Sequence, residues 1–176
     1  YNAALALIGP TGDACALASV HHNMGLNRQM QDDQAGALTH LLEAVRKDSA
    51  CTDSELRSGI LYSVGTIYGE MKRYTEALDY YQRAFLVDSA THDSARMAKQ
   101  FIAIANVLAV TERIPEAMGY YEKSIVCSKA VGDSFMQSYI RFNLVEIEMA
   151  LDNLSGAVME TERALAVFEQ VHQLAK

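Results

Sequence analysis

The sequence repeats itself every forty residues, and this repeat constrains the fold more than any other feature. The segment 48–54, DSACTDS, returns without a gap at 88–94 as DSATHDS and more faintly at 128–134 as SKAVGDS. Two columns keep one residue type at the same stride: Asp13, Asp53, Asp93 and Asp133, and Ala37, Ala77, Ala117 and Ala157. A repeat of this length indicates an array of similar units, each of which buries its apolar face against its neighbours.

Each unit reads as a pair of helices. After Asp53, apolar residues recur at spacings of three and four, which is the helical period: Leu56, Ile60, Leu61, Val64, Ile67, Tyr68 and Met71. A polar break at 72–75 separates them from a second periodic stretch: Ala77, Leu78, Tyr81, Ala84, Phe85 and Val87. The alternation typical of a strand is absent from this pattern, so the sequence predicts a helical hairpin.

Helix starts are marked in the same register. The recurring aspartate suits an N-cap, because its carboxylate accepts from unpaired amides of the first turn and complements the helix dipole. In the third unit the break contains Pro115 and then Glu116, a pair suited to the first helical turn.

The repeat register divides the chain into units. The predicted units are the end of a truncated repeat at 1–12 and four repeats at 13–52, 53–92, 93–132 and 133–176, which together form one domain. Tyr1 and Ala4 lie eighty residues before Tyr81 and Ala84, so the first residues resemble the end of a second helix. With no initiator Met or signal segment in view, we expect a fragment of a longer protein.

These residues resemble the tetratricopeptide repeat family. The second unit carries the resemblance best, in Val64, Gly65, Tyr68, Tyr74, Ala77, Leu78, Tyr80, Tyr81 and Ala84. It continues in Ala105, Leu108, Ala117, Tyr121 and Ser124, and in Gly25, Ala37, Leu41 and Ala44, and so covers nearly the whole chain. The resemblance implies an all-α fold, a right-handed superhelical solenoid of antiparallel helix pairs. HEAT-like repeats have a similar length and are the second interpretation.

The resemblance also implies how the helices pack. Small residues such as Gly25 and Gly65 are expected to let two helices approach closely, while Tyr68, Tyr81 and Tyr121 fill the space between hairpins. The outer units depart from this pattern. Arg28 and Glu148 stand at the place of Tyr68, Thr161 stands at that of Tyr81, and the early aromatic position holds His21, Leu61, Phe101 and Arg141. An apolar face still predicts a full last hairpin: Val158, Ala164, Leu165, Phe168 and Val171.

Charge and hydropathy exclude two classes of partner. Lys and Arg number 15 against 22 Asp and Glu, a formal charge of -7, and no basic cluster offsets this locally. We therefore expect no nucleic-acid binding. No apolar run approaches the roughly eighteen residues of a membrane span, so we expect no direct membrane insertion by this chain. The compartment, cytoplasmic or periplasmic, stays open.

The resemblance assigns the first helix of each hairpin to the concave side of the solenoid. Rows at the forty-residue stride there predict a partner-binding surface, made of His22, Asn23, Leu26, Tyr62, Ser63, Thr66, Lys99, Ile102, Asn106, Tyr139, Phe142, Asn143 and Glu146. Aromatic and aliphatic side chains would contact a partner, and amides would hold a peptide backbone. In the alternative interpretation, some of these apolar residues pack against second helices and meet no ligand.

Other site types lack the residues they need. Some tetratricopeptide domains hold a terminal carboxylate with cations, but Ile102 stands where such a clamp needs Lys and only Lys99 is near. Neighbouring His21 and His22 point about a hundred degrees apart on a helix, so with His40 they do not predict a shared metal site. The chain contains no nucleophile elbow and no phosphate-binding glycine loop. We expect no cofactor and no catalysis by this chain.

The three cysteines, Cys15, Cys51 and Cys127, occupy different places in the repeat. The sequence offers no disulfide framework, and we interpret the three as buried small hydrophobic residues.

The sequence therefore predicts a non-catalytic scaffold that binds a protein or peptide. By analogy with long-hairpin repeats in bacterial sensor kinases and transcriptional regulators, it is expected to be the sensory or adaptor section of a larger signalling protein. Two alternatives stay open: self-association into a homo-oligomer through the ends of the solenoid, and binding of a small metabolite.

Overall fold

A computed structural model of the chain describes residue 8 and residues 13–174. Residues 13–174 form eight helices and no strand: α1 Ala14–Met30, α2 Gln34–Asp48, α3 Ser54–Glu70, α4 Tyr74–Ala90, α5 Ser94–Val110, α6 Ile114–Ala130, α7 Ser134–Ala150 and α8 Leu154–Leu174. Consecutive helices pair as α1–α2, α3–α4, α5–α6 and α7–α8, here called hairpins 1 to 4. The prediction of an all-helical fold made of helix pairs is confirmed. Apart from Ile8, the predicted truncated repeat at 1–12 lies outside the described residues.

The chain divides into two compact units, residues 1–92 with hairpins 1 and 2, and residues 93–176 with hairpins 3 and 4. Within residues 1–92, α3 packs on both helices of hairpin 1. Within residues 93–176, α7 packs on α6. In each unit the contact between hairpins is therefore made by the first helix of the second hairpin.

The predicted caps are confirmed. The carboxylates of Asp13, Asp53, Asp93 and Asp133 each accept a hydrogen bond from the backbone N–H three residues later. Pro115 lies in the first turn of α6. The turn inside each hairpin holds one non-glycine residue with φ near +60°, at the same repeat position each time: Asp32, Lys72, Glu112 and Asp152.

Close approach between helices depends on small residues facing large ones. A Cβ added to Gly65 would lie 2.7 Å from the Tyr81 ring, and one added to Gly25 would lie 2.6 Å from Leu41. The expected role of these two glycines is thus confirmed within hairpins 1 and 2. The same packing positions the Tyr81 hydroxyl, which donates to Thr66 Oγ1 at 3.3 Å.

The interpretation of all three cysteines as buried small hydrophobic residues is wrong for two of them. Cys15 at the start of α1 forms a disulfide with Cys51, 36 residues later, in the connection to α3. The second helix of hairpin 1, α2, ends at Asp48. The corresponding helices α4 and α6 continue two residues further in the repeat, to Ala90 and Ala130. Cys51 lies in the connection, and its equivalents Thr91 and Val131 likewise follow the ends of their helices. Cys127 is a free thiol, and burial raises its pKa.

Hairpin 4 has a charged interior where the other hairpins have rings. The tilted rings of Tyr68 and Tyr80 pack in hairpin 2 with centroids 5.5 Å apart, and those of Phe101 and Tyr120 pack in hairpin 3 at 5.9 Å. In hairpin 4 the equivalents of Phe101 and Tyr120 are Arg141 and Glu160, which form an ion pair at 2.7 Å and are both more than nine-tenths buried. Arg163 also donates to Glu160. On α7 the buried Glu148 accepts a hydrogen bond from Asn153.

Candidate functional site

The predicted binding row of residues 1–92 lies on α1 and α3. His22 and Ser63 meet across the two helices, with His22 Nε2 2.9 Å from Ser63 Oγ. The Ser63 hydroxyl donates to the Gly59 carbonyl, so it accepts from a neutral His22 protonated on Nε2. Burial lowers the pKa of His22 below its ordinary value. This pair therefore connects the first helices of hairpins 1 and 2, and the imidazole favours its uncharged form.

Exposure differs along this part of the row. Asn23 is exposed, Leu26, Tyr62 and Thr66 are half-buried, and Ser63 is buried. The Tyr62 ring packs at 5.4 Å against the ring of Tyr81, which holds it in place while leaving part of it open to a ligand. On α1 and α3, Asn23 and Tyr62 are thus the row residues best placed to meet a partner.

The row of residues 93–176 lies on α5 and α7. Lys99, Tyr139, Phe142 and Glu146 are exposed, whereas Ile102 is buried with 7% of its surface exposed. Ile102 is therefore a core residue here, as the alternative interpretation expects for part of the row, and a role for it in binding stays a prediction.

The two amides of this row, Asn106 and Asn143, share a partner. The Tyr121 hydroxyl donates to Asn106 Oδ1 at 2.5 Å. Burial raises the pKa of Tyr121 to about 12, the charge of a nearby Tyr139 adds to that shift, and a hydrogen bond with Asn143 opposes it. Both amides are thus positioned by a core tyrosine, and only their remaining hydrogen-bonding capacity is available to a peptide backbone.

An apolar pocket of about 510 Å³ opens between α7 and α8. We call it the α7–α8 face; its residues are Phe135, Ser138, Tyr139, Phe142, Val145, Thr161, Ala164 and Phe168. Two of them, Tyr139 and Phe142, belong to the predicted row. Three phenylalanines are largely exposed: 80% for Phe135 and 59% for both Phe142 and Phe168. Exposed aromatic clusters of this kind are typical of binding surfaces.

Phe135 and Phe168 were missed by reasoning from the sequence. Phe135 precedes the residues of the row, and Phe168 belongs to the apolar face that predicts the last hairpin rather than to the row. The apolar face predicted for that helix is largely open, since Val158, Leu165 and Phe168 are each more than half exposed. A comparison of hairpin 4 with hairpin 1 would have signalled both residues, because the equivalent positions there hold Cys15 and Asp48.

The described residues contain neither a cluster of metal ligands nor a membrane-spanning helix. Within them, no three His, Cys, Asp or Glu side chains converge as metal ligands would. His21 and His40 do approach, with ring centroids 5.8 Å apart, as two packed rings. None of the described helices combines the length and the apolar composition that crossing a bilayer requires.

Comparisons with known proteins give a fold but no close relative. No family model and no curated protein matches the sequence. Among solved structures, aspartyl phosphate phosphatase F from Bacillus subtilis aligns with a TM-score of 0.85 at 13% identity, over 96% of this chain and 43% of that one. A plasmid Rap conjugation gene regulator in complex with the Phr peptide aligns at 0.73 and 14%, over 88% and 43%.

A third solved structure is described by name as consisting of TPR-like repeats. The TPR-like repeats of a Podospora anserina putative kinesin light chain align with a TM-score of 0.70 at 15% identity, over 89% of this chain and 77% of that one. The chain spans less than half the length of the phosphatase and of the Rap regulator. At these identities the likeness concerns the fold alone. The chain has the fold of tetratricopeptide-like helical repeat proteins.

Proposed function

We propose that this chain is a non-catalytic scaffold that binds a protein or peptide and serves as the sensory or adaptor section of a larger signalling protein. The observation that carries the proposal is the exposure of Tyr139 and Phe142, two row residues that line a largely apolar pocket. Aromatic side chains of this kind provide much of the binding energy at protein interfaces. A neighbour in fold, the Rap regulator, was solved with a peptide, which supports the same class of ligand.

Catalysis by this chain is not part of the proposal, although one neighbour in fold is named a phosphatase. Charged side chains of hairpin 4 line a pocket of about 360 Å³, but its two carboxylates on α7 and α8, Glu148 and Glu160, are each more than nine-tenths buried and already engaged. Glu160 accepts from Arg141 and Arg163, and Glu148 accepts from Asn153. These contacts are typical of a structural group, because a general acid or base needs access to a substrate.

The proposal is tested by selecting ligands from a displayed library of random peptides and measuring their affinity by fluorescence anisotropy. We expect selected peptides to lose at least roughly tenfold in affinity for Tyr139→Ala or Tyr62→Ala, as interface aromatics do when truncated. Leu86→Ala is the matched control, because Leu86 is 65% exposed on α4 and outside the row. Equal binding by all folded variants would contradict the row as the binding surface.

Self-association is a second candidate, favoured by the exposed apolar side chains of α8. Leu154, Val158 and Leu165 are each more than half exposed. Light scattering over a concentration series tests this candidate, which predicts a molar mass that rises with concentration and falls again in Val158→Asp. A constant monomer mass excludes it.

A further inference from the structure

The α7–α8 face has a counterpart in hairpin 1, where the structure shows what covers it. Shifting its residues by three repeats of forty gives Cys15, Ala18, Ser19, His22, Gly25, Leu41, Ala44 and Asp48. In hairpin 1 Leu41 has no exposed surface and Asp48 is 5% exposed, whereas their equivalents in the α7–α8 face are open: Thr161 is exposed and Phe168 is 59% exposed. The same place in the repeat is therefore covered in hairpin 1 and open in hairpin 4.

The cover in hairpin 1 is a helix, α3, together with the connection that precedes it. Ile60 of α3 packs in one buried cluster with Ala18 and Ala44. Arg57 donates to Asp48 at 2.7 Å, and His22 bonds Ser63. The contacting residues of α3 thus follow the helical spacing 57, 60 and 63.

The residues of the α7–α8 face define what such a helix must carry. Phe168 replaces Asp48, so an arginine at the place of Arg57 would lose the carboxylate that it pairs with in hairpin 1, and an apolar side chain fits instead. Phe142 replaces His22, and its larger ring requires a small residue at the place of Ser63.

Charge at the border of the face selects the partner further. Exposed Glu146 lies one helical turn beyond Phe142, and exposed Glu162 lies next to Thr161. A basic helix complements these carboxylates. A second copy of this chain would bring the same glutamates and a further formal charge of -7, which opposes pairing of the face with itself.

We infer that the α7–α8 face docks an amphipathic α-helix of another protein, in the register that α3 adopts on hairpin 1, with an apolar residue against Phe168, a small residue against Phe142 and basic residues at its border. This inference rests on the proposed function, since it names the kind of protein segment that the scaffold binds. Helix-in-groove recognition uses anchors at this spacing.

Two peptides from the chain's own sequence serve as probes. Residues 94–110 place Met97, Gln100 and Ala103 at the positions of Arg57, Ile60 and Ser63, and carry the two cations Arg96 and Lys99 and no acid. Residues 54–70, the sequence of α3, place Arg57 against Phe168 and carry two acids and one cation. The two probes have the same length and differ in the chemistry that the face should discriminate.

We expect labelled peptide 94–110 to bind the full chain at least roughly tenfold more tightly than peptide 54–70, and to gain helical circular dichroism on binding. Phe142→Ser and Phe168→Ser should each weaken binding by a similar factor, while the control Leu86→Ser leaves it unchanged. An Ala103→Pro peptide should not bind, because proline interrupts a helix.

Several results would overturn the inference. Equal binding of the two peptides would contradict the selectivity that the face should show. Binding that survives Ala103→Pro would indicate an extended ligand. A dimer in light scattering that Phe168→Ser dissociates would indicate a second copy of the chain. If peptide 94–110 fails while library peptides bind in a Tyr62-dependent way, the inference falls and the proposed function stands. If the library yields no Tyr62-dependent ligand while peptide 94–110 binds as expected, the part of the predicted row on α1 and α3 fails and the α7–α8 face stands.

Discussion

Arg141 donates to Glu160 across 2.7 Å at the position where hairpin 3 packs the Phe101 ring against Tyr120. Lys123 lies over the Tyr120 ring in hairpin 3, and its equivalent in hairpin 4 is Arg163, which bonds Glu160 instead. An aromatic pair with a cation has thus been exchanged for a buried ionic group. The Nε atom of Arg141 is also buried and has no hydrogen-bond partner among the described residues.

This exchange predicts opposite effects for a single and a double substitution. Glu160→Gln removes the charge that compensates Arg141 and should lower the free energy of unfolding by about 3–5 kcal/mol, as breaking a buried pair does. The double variant Arg141→Phe with Glu160→Tyr restores the pair of hairpin 3 and should be neutral or more stable by about 1–4 kcal/mol. Urea unfolding measures both, and a double variant less stable than Glu160→Gln would contradict the equivalence.

Two glycine substitutions should change stability in opposite directions. Gly65→Ala places a Cβ 2.7 Å from the Tyr81 ring and should destabilise the protein by about 1–3 kcal/mol through overpacking. Gly119→Ala in α6 is the matched control, since an added Cβ there meets nothing within 4 Å. This control should gain up to about 1 kcal/mol from helix propensity. Denaturant midpoints report both changes, and a gain for Gly65→Ala would mean that Tyr81 moves aside at little cost.

The disulfide should contribute measurably to stability. Closing a loop across 36 residues is expected to stabilise the fold by about 3–4 kcal/mol through the unfolded chain. Cys15→Ser with Cys51→Ser should lose that amount in urea unfolding, and Cys127→Ser is the control. A thiol assay of the denatured, unreduced protein should count one thiol per chain; a count of three would show that the bond does not form.

The buried imidazole of His22 predicts a dependence of stability on pH. Its pKa in the folded chain lies below the ordinary value of 6.5, so the unfolded chain takes up a proton first as the pH falls. The stability that His22 contributes is therefore complete above about pH 6.5 and is lost as the pH falls from there through the folded-state pKa. His22→Gln retains a donor for Ser63 without titrating, so its Tm should fall less than the wild type's between pH 7.5 and 5.

Leu86, which is 65% exposed on α4 and does not titrate, provides the control for this measurement. Leu86→Gln should keep the pH profile of the wild type. A profile for His22→Gln that runs parallel to the wild type would show that His22 does not carry the effect.

Much of the fold could be predicted from the sequence, because the features that define it are local. Helical spacing, aspartate caps such as Asp53 and small residues such as Gly25 and Gly65 all lie within one repeat and recur in the next. What the sequence could not provide depends on side chains that meet across many residues. The Cys15–Cys51 bond joins the start of α1 to the connection before α3, and the Arg141–Glu160 pair joins two positions that look like solvated charges when read one at a time.

The candidate site was predicted unevenly for the same reason. The stride of forty located Tyr139 and Phe142, which are exposed in hairpin 4, but it also located Ile102, which is buried. Position in the repeat fixes the direction of a side chain along its helix. Whether that side chain meets solvent depends on the helix that comes next, and the sequence of one unit does not contain that information.

The disulfide of hairpin 1 also changes how the chain would carry a mechanical load. A pull on the two ends of the polypeptide passes from residue 15 to residue 51 through the sulfur atoms, so the segment between them is shielded from tension. The oxidised protein would therefore extend by about 130 Å less than the reduced one, at roughly 3.6 Å for each of the 36 residues bypassed. Reduction would release this stored length and let hairpin 1 yield under force like the other three.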